Sequence, residues 1–409
     1  MQRLSGFDGM RAIACLAVIG HHLCQKLDPQ ALTETGRALW SFILLGEVGV
    51  SVFFVLSGAL LALPFWRSWL QGDAAPSLKT YAVKRLARIA PGFYLALSVS
   101  FALSLGIFGA PLDTQLVVRF LAGLGFINAF HWVTFFPAES NGPLWSIGFE
   151  VLAYVLLVPF MLIMFHRSKK RDIRNGLAYW SLVLSLCTLS HWLLTQSVVV
   201  PDVGRGWQFG LIGGAKEWMP YYNPIGMYCH FLLGVMAAAI IAHRQTLASR
   251  RRAGYDLAVI VTLLGAGVFL FQSRLPETVA TGLLENIYFW PWIPLAVALS
   301  LACLPQTRWV GAWLDHGVLR YIAQTSFGLY LWHYLIMDLL ARELFPDFVF
   351  SGYTDVADWL LPSLLTVLLS MVVAHCSYRF LEQPALGWAT RRLGSTRPER
   401  PAAFSKKRG

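Results

Sequence analysis

Charged residues are scarce in this 409-residue chain: Asp, Glu, Lys and Arg make up 13% of it, whereas 56% of the residues are hydrophobic and the mean hydropathy is +0.55. Soluble domains carry about 25% charged residues, so the composition excludes a soluble globular domain and is typical of a polytopic membrane protein. The net charge of +11 does not indicate nucleic-acid binding, because the basic residues form short blocks between apolar runs.

The chain also lacks paired cysteines, metal-ligand spacing and internal repeats. Its six cysteines are scattered, mostly inside apolar segments, so the sequence predicts neither a disulfide framework nor a metal site. The missing repeat gives no support to an inverted-repeat transporter. Arg3 and Arg11 precede the first apolar run without a small-residue cleavage site after it, so we expect an uncleaved first span.

Ten apolar runs are long enough to cross a bilayer. The sequence therefore predicts an all-α membrane bundle of about ten transmembrane helices. The runs cover about residues 9–27, 39–63, 89–109, 143–165, 176–196, 225–242, 254–272, 286–304, 321–341 and 359–381.

Loop charges predict the orientation of the bundle. Ten crossings with a cytoplasmic N-terminus place 26 of the 33 Lys and Arg residues on the cytoplasmic side, as the positive-inside rule requires. Both termini then lie in the cytoplasm, and the protein is expected in the cell inner (plasma) membrane. We expect a membrane domain over 1–386 and a basic, disordered cytoplasmic tail over 387–409.

A further apolar run at about 114–136 is interrupted by Arg119, Asn128 and His131. A full crossing there would move the basic block at 166–174 to the outside, against the positive-inside rule. We therefore predict a re-entrant or non-crossing segment. Asn128 is expected to line a polar cavity, because irregular backbone is not tolerated against lipid.

Arg11 and His22 stand in the apolar run that begins at Asp8. In a helix they are roughly three turns and about 16 Å apart on one face. Ionisable groups inside an apolar span mark a functional site by default. The alternative is that Arg11 is a flanking topology charge and His22 a satisfied core histidine, and the two residues alone do not decide between these interpretations.

Basic residues recur before the third span, in KTYAVKRLARIAPGFY. Lys84 and Arg88 share a helical face and, with Arg85 and the nearby Arg11, suit a ligand with several phosphates; ordinary positive-inside charge is the alternative. In GPLWSIGFEVLAY, Glu150 stands a few residues into a span that starts at the outer face. A carboxylate at that depth must pair with another group or take up a proton. A structural pair with an arginine is the alternative to a functional carboxylate.

Three other motifs carry predictions. The small residues of GVGVSVFFVLSGALL predict close helix packing. His333 in TSFGLYLWHYLI is a candidate substrate contact, with a satisfied core histidine as the alternative. Arg379 and Glu382 in CSYRFLEQPAL, three residues apart, predict a salt bridge at a helix end.

Taken together, these motifs resemble the acyltransferase-3 family in type and order. They are FDGMRAIACLAVIGHH, GVSVFFVLSG, KRLARIAPGFY, LWSIGFEVLAY, SFGLYLWHY and SYRFLEQPAL, and they run from residue 4 to about 386. Members of the family are membrane acyltransferases that acylate sugars of O-antigens, exopolysaccharides, peptidoglycan, nodulation factors and macrolides. The resemblance implies a bundle of about ten membrane helices. Some members add an extracytoplasmic SGNH hydrolase-like domain, which we do not expect in a chain of this length.

The resemblance also implies roles for individual residues. Arg11 and His22 match the arginine and histidine pair of the family, and Lys84–Arg88 is similar to its basic pair, with lysine first. Glu150 matches the first acid of its W-S-x-x-x-E-E-Q segment. The second acid and the glutamine are replaced at 151–152, so a role that needs two carboxylates is not carried over.

The residues and the resemblance lead to one mechanism. Acyl-CoA, expected to be acetyl-CoA, enters from the cytoplasm, and no metal is expected. Its phosphates bind Arg11, Lys84, Arg85 and Arg88, and its arm reaches His22. His22 acts as general base or transient acyl carrier, alternatives that the sequence leaves open.

The acceptor is expected to be a carbohydrate or glycolipid hydroxyl approached from the outer side, in contact with membrane lipid. Glu150 is expected to orient the imidazole or the acceptor, and Asn128, Trp145 and His333 to contact substrate. The longest outer loops, 197–224 and 342–358, are expected to hold specificity. A transporter or flippase of a lipid-linked sugar is the alternative function, and a scaffold without chemistry a third.

Overall fold

A computed structural model describes residues 3–167, 170–201, 206–207, 210–247, 252–273 and 286–393. These residues form helices and connecting loops, without a β-strand among them, so the all-α prediction is confirmed. The helices are α1 Phe7–Cys24, α2 Glu34–Leu44, α3 Gly49–Gln71, α4 Leu78–Gly106, α5 Thr114–Leu124, α6 Trp132–Phe135, α7 Trp145–Arg167, α8 Ile173–Ser197, α9 Gly210–Trp218, α10 Pro224–Thr246, α11 Ala253–Gln272, α12 Trp292–Cys303, α13 Val310–Leu314, α14 Gly317–Glu343, α15 Val356–Ser377 and α16 Gln383–Arg392.

Ten of these helices correspond to the ten predicted spans. Eight helical segments in the described ranges are long and apolar enough to cross a membrane, and they contain α3, α4, α7, α8, α10, α11, α12 and α15. The other two predicted spans are α1 and α14, with 18 and 27 residues. Both carry polar candidate site residues. The chain is therefore a multi-pass membrane protein.

The segment 114–136 does not form a spanning helix. Its longest helix, α5, has 11 residues and is about 16 Å long, whereas the hydrocarbon core is about 30 Å thick. The prediction of a non-crossing segment is consistent with this length. The Asn128 amide is buried and donates to the carbonyl oxygens of Phe135, at 2.9 Å, and Trp145, at 3.0 Å. Asn128 thus closes the loop that follows α5.

Close packing predicted from the small residues is confirmed in α3 and the turn before it. Gly46 and Gly49 face the backbone of α1, and a Cβ on Gly49 would lie 2.4 Å from the Ala14 carbonyl oxygen. On the other side of α3, a Cβ on Gly58 would lie 2.0 Å from the Phe231 carbonyl oxygen of α10. These contacts leave no room for a side chain.

Helices α1 and α14 lie side by side and run in the same direction. The Cys15 thiol donates to the Ser326 carbonyl oxygen at 3.6 Å, and the rings of His22 and His333 are 5.3 Å apart. His22 follows Cys15 by seven residues on α1, and His333 follows Ser326 by seven residues on α14, so the two helices are parallel and in register. We call the end of the bundle where α1 begins, at Phe7, the N-terminal face, and the end where α1 stops the opposite face.

Helix α16 covers the first residues of the predicted C-terminal tail. Helix α16 continues to Arg392, so the disorder predicted from residue 387 is wrong for the residues up to that point. The helix packs against α4, and its Ala389 is buried. Residues 394–409 of the predicted tail, and 202–205 and 208–209 of the loop expected to hold specificity, lie outside the described residues.

Candidate active site

A cavity of about 110 Å³ lies between α1, α3, α4, α7 and α14. One wall is apolar and contains Phe53 and Phe54 of α3. The cationic side chains of the cavity lining belong to the parts of α1 and α4 that are near the N-terminal face. The polar side chains in the lining are Arg11, Ser57, Arg85, Arg88, Ser146, Glu150, Tyr154, Ser326 and Tyr330.

Arg88 is held by an ion pair that the sequence did not predict. Its guanidinium lies 3.1 Å from the Glu382 carboxylate, which is fully buried. The predicted salt bridge between Arg379 and Glu382 is wrong, and Arg379 donates to Gln383 at 3.1 Å instead. The prediction assumed regular α-helical spacing, but this segment is a π-helical turn, which changes the face on which Glu382 lies.

Arg11 and Arg85 line the cavity without a direct ion pair to any described carboxylate. Lys84 does not line the cavity, so the pair of α4 cations there is Arg85 and Arg88. A cation removed from water without a partner is costly. The cavity is therefore suited to a ligand that carries negative charge, and Arg11 and Arg85 are the residues available to bind it.

Glu150 is anchored by two hydroxyl groups. Its Oε1 accepts hydrogen bonds from Ser57 Oγ, at 2.7 Å, and from Tyr154 Oη. The expected alternative, a direct pair with an arginine, is not formed among the described residues. Glu150 lines the same cavity as Arg11, and its hydrogen bonds do not involve His22.

Tyr330 of α14 lines the cavity on its side nearest His333. Its hydroxyl lies 2.7 Å from Ser146 Oγ and donates to the Pro143 carbonyl oxygen at 3.1 Å. Its ring is 6.0 Å from the ring of His333, one helical turn further along α14. Neither His22 nor His333 lines the cavity, but Tyr330 lines it and also contacts the His333 ring.

His22 is half-buried in a cluster of rings at the end of α1. Its ring lies 4.8 Å from that of His21, 5.3 Å from that of His333 and 5.0 Å from that of Tyr334. Its Nδ1 is 3.1 Å from Gln25 Oε1. Because a carbonyl oxygen only accepts, Nδ1 carries the proton and Nε2 keeps its lone pair. Gln25 therefore orients this imidazole, the place in which Glu150 was expected.

The two other histidines of the cluster differ in what they leave free. His21 donates to the Leu44 carbonyl oxygen. His333 donates from Nδ1 to the Leu329 carbonyl oxygen at 3.0 Å, so its Nε2 is an acceptor. That Nε2 is buried and has no hydrogen-bond partner among the described residues. The site thus offers two imidazole lone pairs, on His22 and His333.

Asn128 and Trp145 lie outside the cavity. Asn128 serves the loop after α5, as described above. Trp145 is buried among aromatic rings, with centroids at 5.3 Å for Phe135, 5.0 Å for Phe149 and 5.5 Å for Trp218. A role of either residue in substrate binding stays a prediction.

Sequence reasoning missed Gln25. It follows His22 by three positions, and the i, i+3 spacing at a helix end was the signal that could have identified it.

Within the described ranges, no three His, Cys, Asp or Glu side chains are grouped closely enough to hold a metal ion.

Comparison with known proteins gives one family and several relatives. The family model described as an acyltransferase domain, Acyl_transf_3, matches residues 4–375. The peptidoglycan O-acetyltransferase OatA of Listeria monocytogenes is 24% identical over 389 residues, which is 92% of this chain and 55% of that protein. A Bacillus subtilis protein provisionally named a peptidoglycan O-acetyltransferase, YrhL, is 25% identical over 406 residues, 93% of this chain and 54% of that protein.

A Staphylococcus aureus protein provisionally named an O-acetyltransferase is 22% identical over 406 residues, 95% of this chain and 59% of that protein. The chain thus spans a little more than half the length of the curated relatives it matches. No solved structure matches it.

Proposed function

Since the chain belongs to the acyltransferase-3 family, we propose that it is an integral membrane O-acyltransferase. It moves an acyl group, expected to be acetyl, from cytoplasmic acyl-CoA to a hydroxyl of a cell-surface or exported carbohydrate. The names of the relatives, which refer to O-acetylation and to peptidoglycan, support both the acyl group and the class of acceptor.

One observation carries the proposal. Two arginines without a direct ion pair, Arg11 of α1 and Arg85 of α4, line a cavity that is bordered by α1 and α14, and these two parallel helices hold the imidazoles of His22 and His333 further along. Guanidinium groups bind phosphate oxygens through paired hydrogen bonds, so Arg11 and Arg85 fit the phosphates of a coenzyme A donor. Arg88 contributes its charge while Glu382 fixes its position.

His22 is the proposed general base. With Nδ1 donating to Gln25, its Nε2 takes the proton of the acceptor hydroxyl as the hydroxyl oxygen bonds to the acyl carbon. The donor supplies a thioester whose carbon–sulfur bond breaks, and the thiolate then receives the proton. His333 Nε2, also a free acceptor, is proposed to bind a hydroxyl of the same acceptor.

Glu150 is proposed to act in the donor half of the site. It shares the cavity with Arg11 and Arg85, and Ser57 and Tyr154 fix its carboxylate. In this position the carboxyl group is proposed to attract the guanidinium side chains that line the same cavity and to orient them for the donor.

The proposed orientation places the N-terminal face in the cytoplasm and the opposite face outside the plasma membrane. The basic loops of the ten-span topology support this orientation, since 26 of the 33 Lys and Arg residues fall on the side of the N-terminus. The donor phosphates would then meet Arg11 and Arg85 from the compartment where acyl-CoA is made.

The test is acylation of surface glycans in cells that carry the gene or a variant of it. His22→Ala is expected to abolish the added acyl mass, measured by mass spectrometry of the glycans, with the protein still present in the membrane. The control is His166→Ala, which changes an exposed histidine at the end of α7 and is expected to acylate normally. A fully active His22→Ala variant would remove His22 from the mechanism, and an acyl mass that is unchanged on deleting the gene would refute the function.

A further inference from the structure

A second polar cluster begins where the His22 and His333 rings end. Lys26 follows α1 by two residues, and its ammonium lies 5.8 Å from the centre of the Tyr334 ring. The same ring is 5.0 Å from that of His22. Asp338 is four residues beyond Tyr334 on α14, hence on the same helical face. The cluster of Lys26, Tyr334 and Asp338 therefore adjoins His22, the proposed base. It lies on the side of His22 that is nearer the opposite face of the bundle.

Lys26 is a buried cation whose position needs an explanation. As a residue it is 8% exposed, and its ammonium forms no direct ion pair with a described carboxylate. Such a group is costly to keep unpartnered, which indicates that it serves a ligand.

The Nε2 atom of the neighbouring His333 is also buried and without a described partner. His333 is 1% exposed, and its Nε2 has no partner among the described residues. Together with His333, which contacts Tyr334, the cluster offers a donor, Lys26, and two acceptors, the Asp338 carboxylate and the His333 imidazole. A hydroxyl group both donates and accepts, so a molecule with several hydroxyls can satisfy all three.

The backbone around Lys26 is fixed by the second of the long outer loops. Ser351 N–H donates to the Gln25 carbonyl oxygen at 2.9 Å, and Tyr353 N–H donates to that of Lys26 at 3.0 Å. Asp28 N–H donates in turn to the Tyr353 carbonyl oxygen at 2.8 Å. The loop from α14 to α15 therefore holds Lys26 in place before any ligand binds, which lowers the entropy cost of binding.

Charge near the cluster favours a ligand without net charge. Lys26 and Asp338 bring one positive and one negative group to the cluster around the Tyr334 ring. An anionic ligand would gain from Lys26 but lose to the Asp338 carboxylate.

We propose that Lys26, Tyr334 and Asp338 form the acceptor subsite of the enzyme and bind the hydroxyls of an uncharged sugar next to His22. The proposal rests on the function proposed above. Lys26 donates to one sugar oxygen, Asp338 accepts from a neighbouring hydroxyl, and the Tyr334 ring packs against the sugar. The subsite places the reacting hydroxyl at His22 without contributing to donor binding.

The test separates the two halves of the reaction with Lys26→Met and Asp338→Asn. Both variants are expected to lower the amount of acyl group on surface glycans about tenfold or more, since Lys26→Met removes the charged donor and Asp338→Asn removes the charge of the acceptor. Purified in nanodiscs, both are expected to bind acetyl-CoA with the Kd of the unchanged protein, which shows that they are folded. The controls Arg342→Met and Glu343→Gln remove exposed charges near the end of α14 and are expected to acylate normally.

Normal acylation by Lys26→Met and Asp338→Asn would overturn the subsite, and so would a loss of acetyl-CoA binding that equals the loss of acylation. Lys26→Arg, which keeps the charge, is expected to acylate more than Lys26→Met. Fragmentation of the acylated glycan is expected to place the acyl group on an uncharged sugar, and its presence on an acidic sugar would refute that part of the proposal. Failure of the proposed function is distinct, because the unchanged protein would then add no acyl mass.

Discussion

Gly58 and Gly234 mark the point at which α3 and α10 cross backbone to backbone, and Gly58→Ala tests how far the site depends on that crossing. The new Cβ would lie 2.0 Å from the Phe231 carbonyl oxygen, and a Cβ on Gly234 would lie 2.0 Å from that of Val55. Both contacts are with backbone atoms, which cannot rotate away as a side chain does. The two helices must therefore move apart.

The size of the movement and its cost follow from these distances. Real Cβ contacts are not shorter than 3.0 Å, so a Cβ at 2.0 Å requires a local separation of about 1 Å. Overpacking of this kind costs about 1–3 kcal/mol. Alanine also favours the helix over glycine by about 1 kcal/mol, and a control is needed to separate this gain from the packing cost.

Gly265→Ala in α11 is that control, because a Cβ there meets nothing within 4 Å. It gains the same helix propensity without the clash. The difference in stability between the two variants is therefore the packing cost alone, about 1–3 kcal/mol. Thermal unfolding of both purified proteins in the same detergent, followed by tryptophan fluorescence, is expected to show Gly58→Ala melting a few degrees below Gly265→Ala.

The same substitution reaches the proposed active site through Ser57. Its hydroxyl donates to Glu150 at 2.7 Å, and a shift of α3 by about 1 Å would exceed the usual range of such a bond. Acylation by Gly58→Ala is therefore expected to fall by more than the loss of folded protein accounts for. A Gly58→Ala protein that melts with Gly265→Ala and acylates normally would refute the reasoning, since it would mean that the crossing has room to spare.

Two further predictions concern the proposed donor and base. Arg85→Gln is expected to weaken acetyl-CoA binding by about tenfold but to leave binding of acetyl-pantetheine, which lacks the nucleotide phosphates, unchanged. The control is Arg320→Gln, which changes an exposed cation in the first turn of α14. Equal losses of affinity for both ligands would contradict a phosphate contact. Gln25→Leu is expected to lower kcat about tenfold without changing the KM for acetyl-CoA, because His22 loses the acceptor that sets its tautomer. Gln25→Glu keeps an acceptor and is expected to retain activity. An unchanged kcat in Gln25→Leu would refute the positioning role of Gln25.

The course of the chain through the membrane could be predicted from the sequence because it depends on local hydrophobicity. Each predicted apolar run has a helix in the described structure, and the interrupted run at 114–136 has only short ones. Glycine-dependent packing in α3 was also predictable, since dense small residues have few other uses in a membrane helix. These features involve neighbouring residues, which a sequence pattern records.

The partners of individual polar groups could not be predicted, because they come from distant segments. Arg88 pairs with Glu382, 294 positions away, and the pair depends on a π-helical turn that no residue pattern announced. Lys26 drew no attention in the sequence, since it follows an apolar helix as many lysines do. Its burial depends on the loop around Tyr353, more than 300 residues later.

Helices α1 and α14 are the two predicted spans outside the set that meets the apolar criterion, and they hold the polar groups of the proposed site. A polar span is costly in lipid unless neighbouring helices shield its polar face. Exposed large residues of α1 are aliphatic, Ile13 and Leu16, while Arg11 faces the cavity and His22 contacts α14. Because α1 and α14 run parallel in one register, the polar groups of both follow the same order from one face to the other. The low hydropathy of these spans is therefore a consequence of the site, and it is the feature of the sequence that points to it most directly.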